Sequence, residues 1–133
     1  MTAASASAFR SWDGRDPLAL FPRVSLCATG GDQVLLCRVS YEPGAHVPRH
    51  SHEQTEQVML MLDGELEMTV GSETRTLRAG ESVVVNRGVE HELRSDGGCS
   101  FIEALAPVPL DHVPDRDLDL VLGAEGGRLH VES

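Results

Sequence analysis

The reading turns on residues 44–64, GAHVPRHSHEQTEQVMLMLDG, and residues 80–91, GESVVVNRGVEH. His50 and His52 are separated by one residue. On a strand that spacing puts both imidazoles on one face, about 6.6 Å apart along the chain. Two ring nitrogens so placed can converge on one metal ion, and a third imidazole from a neighbouring strand would complete a facial three-nitrogen set. His91 is the natural supplier. His46 lies four residues before His50 and shares its face in an unbroken strand, although Pro48 between them can break that register. Two readings therefore stay open for His46: a loop histidine following Pro43-Gly44, or a substrate-binding group, fourth nitrogen ligand or proton donor at the pocket.

Outward from this stretch the chain continues in short alternating runs. Residues 34–41 are strand-like, and residues 65–70, ELEMTV, alternate with period two. Residues 74–77, 82–85, 89–93 and 101–105 continue the pattern. Breaks fall at Gly30-Gly31, Pro43-Gly44, Asp63-Gly64, Gly71-Ser72, Ala79-Gly80, Arg87-Gly88 and Gly97-Gly98. Strands at this spacing with turn signals predict an all-β barrel or sandwich, and helical periodicity is absent. Asp63-Gly64, between two strand-like runs, reads as a hairpin turn. The organisation expected is a flexible N-terminal arm over 1–17, one barrel over 18–110, and a C-terminal tail or lid over 111–133, with Arg128 to Val131 a candidate last edge strand.

The 133 residues suit one domain. Acidic residues outnumber basic ones 21 to 11, net −10, and every basic residue is arginine. That balance argues against nucleic acid or an anionic membrane as partner, since both need a basic footprint. The acids are scattered, which serves solubility. Cys27, Cys37 and Cys99 show no CxxC spacing, so neither a disulfide framework nor a thiolate zinc site is expected. The first ten residues lack the basic and apolar regions of a secretion signal, and the longest apolar run, Val58 to Leu62, is too short to span a bilayer. The expectation is a soluble, cytoplasmic protein.

Several side chains near the histidine pattern have two readings. Met59, Met61 and Met68 fill the barrel or form a soft apolar pocket wall. Glu103 interrupts the apolar run Phe101 to Leu105. It lies on the outer face, or it brings a carboxylate to the pocket as general acid or base. Arg38 faces solvent or meets an anionic substrate as a fork donor. Arg49 should point outward, and His112 and His130 read as surface residues.

The two stretches together, Gly44-x5-His50-x-His52-x4-Gln57-x6-Gly64 and Gly80-x5-Asn86-x-Gly88-x2-His91, resemble the two motifs of the cupin superfamily. The resemblance covers roughly residues 33–107. It implies a conical β-barrel (a double-stranded β-helix, or jelly roll) enclosing one divalent ion such as Zn, Ni, Mn or Fe. It also implies a small-molecule substrate and, with the free arm and edge strands, a homodimer. Asn86 replaces the family's usual proline, and Ser95 its usual asparagine. The family's glutamate slot falls on Gln57 when counted forward by four from His52 or back by six from Gly64, whereas Glu56 fits a count of three forward. Alternation does not decide between them: Gln57 shares a face with Met59 and Met61, Glu56 with Val58, Leu60 and Leu62. The resemblance thus implies His50, His52, His91 and Gln57, or else Glu56, as ligands. Three histidines with neutral Gln57 leave the ion its full +2 charge, which favours polarising a carbonyl or hydroxyl oxygen over oxygenase chemistry.

Within the superfamily, residues 39–70 look like two small single-domain types. One is the pectin-degradation type acting on unsaturated uronates, and the other is the polyketide cyclase type. In the uronate type an Asp-x-Phe stands where this chain has Glu103 and Leu105, and an arginine stands where it has Pro109. Leu105 and the methionines suit a more lipophilic substrate. The expected activity is a Lewis-acid isomerase or cyclase, with Glu103 moving a proton; a Fe(II) dioxygenase and a non-catalytic binding protein are the alternatives.

Overall fold

The computed structural model describes residues 8–14 and 16–108; the other residues, including Pro109, His112, His130, the candidate edge strand at 128–131 and the whole tail or lid, lie outside them. The alternation seen in the sequence becomes strand throughout: β1 (Leu18–Phe21), β2 (Val24–Gly30), β3 (Leu35–Tyr41), β4 (Ala45–His50), β5 (Glu56–Val70), β6 (Glu73–Arg78), β7 (Ser82–Val85), β8 (His91–Ser95) and β9 (Cys99–Ala106). No helix occurs among the described residues, so none there could cross a membrane. The pairings are all antiparallel. The architecture is the jelly-roll β-barrel that the resemblance implied.

β5 belongs to both halves of the barrel. Its first half pairs with β9 and β7, extending the array β1-β2-β3-β9; its second half pairs with β8 and β6, and β8 continues to β4. Asp63-Gly64 is therefore not a hairpin turn. The runs on either side of it bond to different strands rather than to each other. A bulge at Leu62 and the positive φ of Gly64, +75°, bend one continuous strand from one sheet into the next. Glycine is required there for space as well. A Cβ on Gly64 would lie 2.3 Å from the Gly98 carbonyl oxygen.

The core is the inner face of these strands. Leu35, Cys37, Val39 and Tyr41 of β3 alternate with exposed residues, and Phe101, Leu105, Met59, Met61, Leu66 and Met68 meet them inside. Phe101 and Tyr41 pack edge to face with centroids 5.4 Å apart. The expected arm is tied down where it is described. Arg10 donates to Thr29 Oγ1 and the Gly30 carbonyl, and the Trp12 indole donates to the Ala28 carbonyl.

Candidate metal centre

A single irregularity places the first histidine. Val47 pairs with Leu93, but the next pair is His50 with His91, so β4 spends one extra residue where β8 does not. The bulge falls at Pro48, which has no N–H to give to the ladder. One extra residue inverts every side chain beyond it. His46 consequently stays on the outer face while His50 turns inward. The sequence reading that gave His46 a role at the pocket is corrected here. His46 Nε2 instead contacts Glu92 Oε2 at 2.5 Å on the surface, and that hydrogen bond is the main reason the Glu92 carboxyl sits below its usual range.

His50, His52 and His91 come together. Their candidate ligand nitrogens all lie within 4.8 Å of one another, and the ring centroids of His50 and His91 are 4.2 Å apart. His50 Nδ1 donates to the Pro48 carbonyl at 2.7 Å, and His91 Nδ1 donates to the Val89 carbonyl at 3.0 Å. A neutral imidazole with its proton on Nδ1 presents its lone pair at Nε2, so both rings are held in the tautomer that binds metal. His52 lies just past the end of β4. Its carbonyl accepts from Gly88 N at 2.8 Å, which fastens this loop to the Asn86–Gly88 turn before His91. The replacement of the family's proline by Asn86 leaves that turn intact, with Val89 N donating to the Asn86 carbonyl. Ser95, at the asparagine slot, is buried and donates to the Glu65 carbonyl, tying β8 to β5.

Burial separates Gln57 from Glu56. Gln57 is on the inner face of β5 and buried, whereas Glu56 is exposed on the outer face. Gln57 Nε2 donates to Glu103 Oε1 at 2.5 Å. The other end of the amide, Oε1, is buried with no hydrogen-bond partner among the described residues. An unmet buried carbonyl costs about 1–3 kcal/mol, and a cation is a partner of the right sign. Three imidazoles and one amide oxygen are neutral donors that suit a borderline divalent ion. The residues present therefore fit the metal that the fold implies.

Glu103 faces inward. It stands between Cys37 of β3 and Met59 of β5, on the same face as Phe101 and Leu105. Some of its surface stays accessible. Burial nevertheless raises its carboxyl from the ordinary 4.5 to about 7, with the Gln57 hydrogen bond pulling the other way. Leu105 pairs with Gln57, and Met59 with Glu103, so both border this pair; Met61 lies one inward position further along, against Phe101. Arg38 is exposed on the outer face of β3, opposite in orientation to Cys37, and so cannot meet a substrate inside the barrel; that reading is corrected as well. Arg49 points outward as expected, to Glu90 and the Gly71 carbonyl.

The sequence reading missed Cys37 and Tyr41. Both are buried inner-face groups whose proton affinity rises, through burial first and the Glu103 charge second. The signal was the alternation of residues 35–41, in which every odd position is inward. A groove of about 380 Å³ is lined from β5, β6 and β7 by Glu73, Arg75 and Ser82 as well as Met68, Val70 and Leu77, and none of the three histidines lines it. A larger groove, about 730 Å³, lies on the side of Glu56, Arg87 and Pro107; Glu56 points away from Gln57, so this groove is on the outside of the site.

Comparison with known proteins agrees with this geometry. The cupin domain family model matches residues 37–104. The tetracenomycin polyketide synthase protein TcmJ of Streptomyces glaucescens is 30% identical over 106 residues, 75% of this chain and 69% of that protein. Germin-like protein subfamily 2 member 2 of Arabidopsis thaliana is 36% identical over 69 residues, 48% of this chain. The match spans only 32% of that plant protein's length. Among solved structures, KdgF from Halomonas sp. superposes with a TM-score of 0.73 at 20% identity, covering 79% of this chain and 97% of its own, a likeness of fold. With the four motif glycines, the three histidines and the barrel in their places, and the family model matching over half of its length, the chain belongs to the cupin family.

Proposed function

We propose that this cupin is a metal-dependent enzyme of redox-neutral type, an isomerase or cyclase acting on a small oxygenated molecule of polyketide or sugar-derived kind. The observation that carries the reading is the buried, inward-facing Gln57–Glu103 pair in the same barrel that brings the three histidines together. His50, His52, His91 and Gln57 would hold one divalent ion, which when bound supplies Lewis-acid polarisation of a substrate oxygen. Because all four donors are neutral, the protein does not offset the ion's charge. Gln57 also holds Glu103 Oε1 in place through its amide. Glu103 Oε2 is then the atom available to take a proton from a substrate carbon and return it at another, leaving the enzyme unchanged at the end of a cycle. A carboxyl near neutrality serves both halves of such a transfer.

The walls favour an apolar substrate body. Met59 and Leu105 flank the pair, with Met61 and Phe101 one inward position further along. Similarity to TcmJ over most of both chains supports the polyketide side of the proposal. The test is turnover of aromatic polyketide intermediates and of keto-uronates by the metal-loaded protein. Glu103→Gln should keep the metal and lose at least a hundredfold in rate. Oxygen consumption on loading with iron would replace this reading by a dioxygenase, and metal binding without turnover of either substrate class would replace it by a binding protein.

A further inference from the structure

β6 carries charge where the barrel calls for apolar side chains. Alternation puts Glu73, Arg75 and Leu77 on one side of the strand, and Leu77, 8% exposed, belongs to the core. Glu73 and Arg75 therefore project on the barrel side, along the groove of about 380 Å³. The fold explains that groove. β6 and β7 each bond to β5, along different halves of it, and not to each other. Their connecting turn is fastened to β5, with Gly80 N donating to the Met61 carbonyl and Met61 N to the Glu81 carbonyl. From that turn the two strands run back along the two halves of a bent strand, so they separate and leave a wedge. Met68 of β5, 2% exposed, and Leu77 give it an apolar floor, and Val83 and Val84 give it a wall on β7. Arg75 Nε donates to Glu73 Oε2 at 2.9 Å, and among the described residues nothing else accepts from this guanidinium. Both side chains are largely exposed, so the pair adds little to stability. Its effect is to fix which way the guanidinium faces. The two terminal amino groups remain, and they form a fork that matches a carboxylate.

We propose that this groove is a second ligand site, separate from the histidine centre, for a small monocarboxylic acid with a compact apolar body. Each part of that class rests on a contact. The carboxylate meets the terminal amino groups of Arg75 as a bidentate pair. The body covers Met68, Leu77 and Val83, in a space at the small end of the roughly 300–1,000 Å³ usual for ligand sites. Glu73 beside the fork admits one negative charge and repels a second, which disfavours phosphate esters and dicarboxylates. A chain of net charge −10 does not attract anions from a distance, so selection falls to these contacts. Among the described residues that line the groove there is no histidine, and neither Gln57 nor Glu103 is one of them.

The methionines report on both places at once: Met68 lines the groove, whereas Met59 and Met61 stand opposite Glu103 and Phe101 inside the barrel. The test is a titration of the full chain, labelled at the methionine methyls, with 2-naphthoic acid, followed by NMR before and after chelation of metal. The Met68 methyl should shift and saturate with a Kd below about 1 mM, equally in both states, while Met59 and Met61 stay in place. Arg75→Gln, at an exposed position, should weaken 2-naphthoate at least tenfold. The same variant should leave unchanged the weaker binding of 2-naphthalenemethanol, which has the body without the charge. Val84→Asp, which sets a second carboxylate on the wall, should also weaken 2-naphthoate, and 2-naphthyl phosphate should bind the wild type at least tenfold less tightly. Shifts at Met59 in place of Met68 would put the ligand in the barrel and overturn the proposal. So would the absence of a saturable shift, or an Arg75→Gln variant that binds 2-naphthoate as the wild type does. Equal binding of the phosphate ester would overturn the ligand class.

Discussion

Gly64→Ala tests whether the corner in β5 is what joins the two sheets. The residue stands at φ +75°, a left-handed conformation that costs a non-glycine residue about 1–2 kcal/mol. The new Cβ would lie 2.3 Å from the Gly98 oxygen and 2.7 Å from the Cys99 Cα. Both are backbone atoms, so no side chain can swing aside, and β5 and β9 must part. Overpacking of this kind adds about 1–3 kcal/mol, for a loss of roughly 2–5 kcal/mol in all. Gly80→Ala is the control. Its φ is +87° and nothing lies within 4 Å of the added carbon, so it should lose only the conformational part, about 1–2 kcal/mol. Urea unfolding of both variants and the wild type, with equal m-values, measures the difference directly. If the two variants are equally destabilised, the close approach of β5 to β9 is not a constraint and the reasoning fails.

His50→Ala and His91→Ala should each remove most of the bound metal in elemental analysis, and full retention in both would refute the three-histidine centre. Glu103 should make the metal-free protein less stable as pH rises: its folded pKa of about 7 exceeds the ordinary 4.5, so the folded state holds an extra proton between those values, and on the order of 3 kcal/mol present below pH 4.5 is lost by pH 8. Urea midpoints of chelated wild type and Glu103→Gln at pH 5 and pH 8 should show that loss in the wild type alone; parallel pH profiles would contradict it. Leu66→Ala, at a fully buried position on β5, should lose about 3–5 kcal/mol in the same assay, and a loss under 1 kcal/mol would mean the barrel interior collapses around the gap.

The histidine cluster was legible because spacing in sequence is spacing on a strand. His50, His52 and His91 could be named from the chain, whereas counting left both Gln57 and Glu56 for the fourth position. What counting could not do was choose a face. The flanks of Gln57 and Glu56 look alike, since Val58, Leu60 and Leu62 are as apolar as Met59 and Met61, although only the methionines are buried. The outer row is apolar too, and a rule that equates apolar with inward has nothing to work on there. Glu103 was ambiguous for the opposite reason. It is a charged residue inside, held by Gln57 from another strand 46 positions away.

By itself the sequence determined the strand period, the breaks between strands and the spacing of the three histidines that meet. Tertiary structure decided which way His46, His50 and Arg38 face, that Asp63-Gly64 is a corner in one strand, and that the Gln57 amide holds the Glu103 carboxyl. The reason is the period of two. One extra residue inverts all that follows it, and the bulges at Pro48 and Leu62 arise from pairing with strands far along the chain.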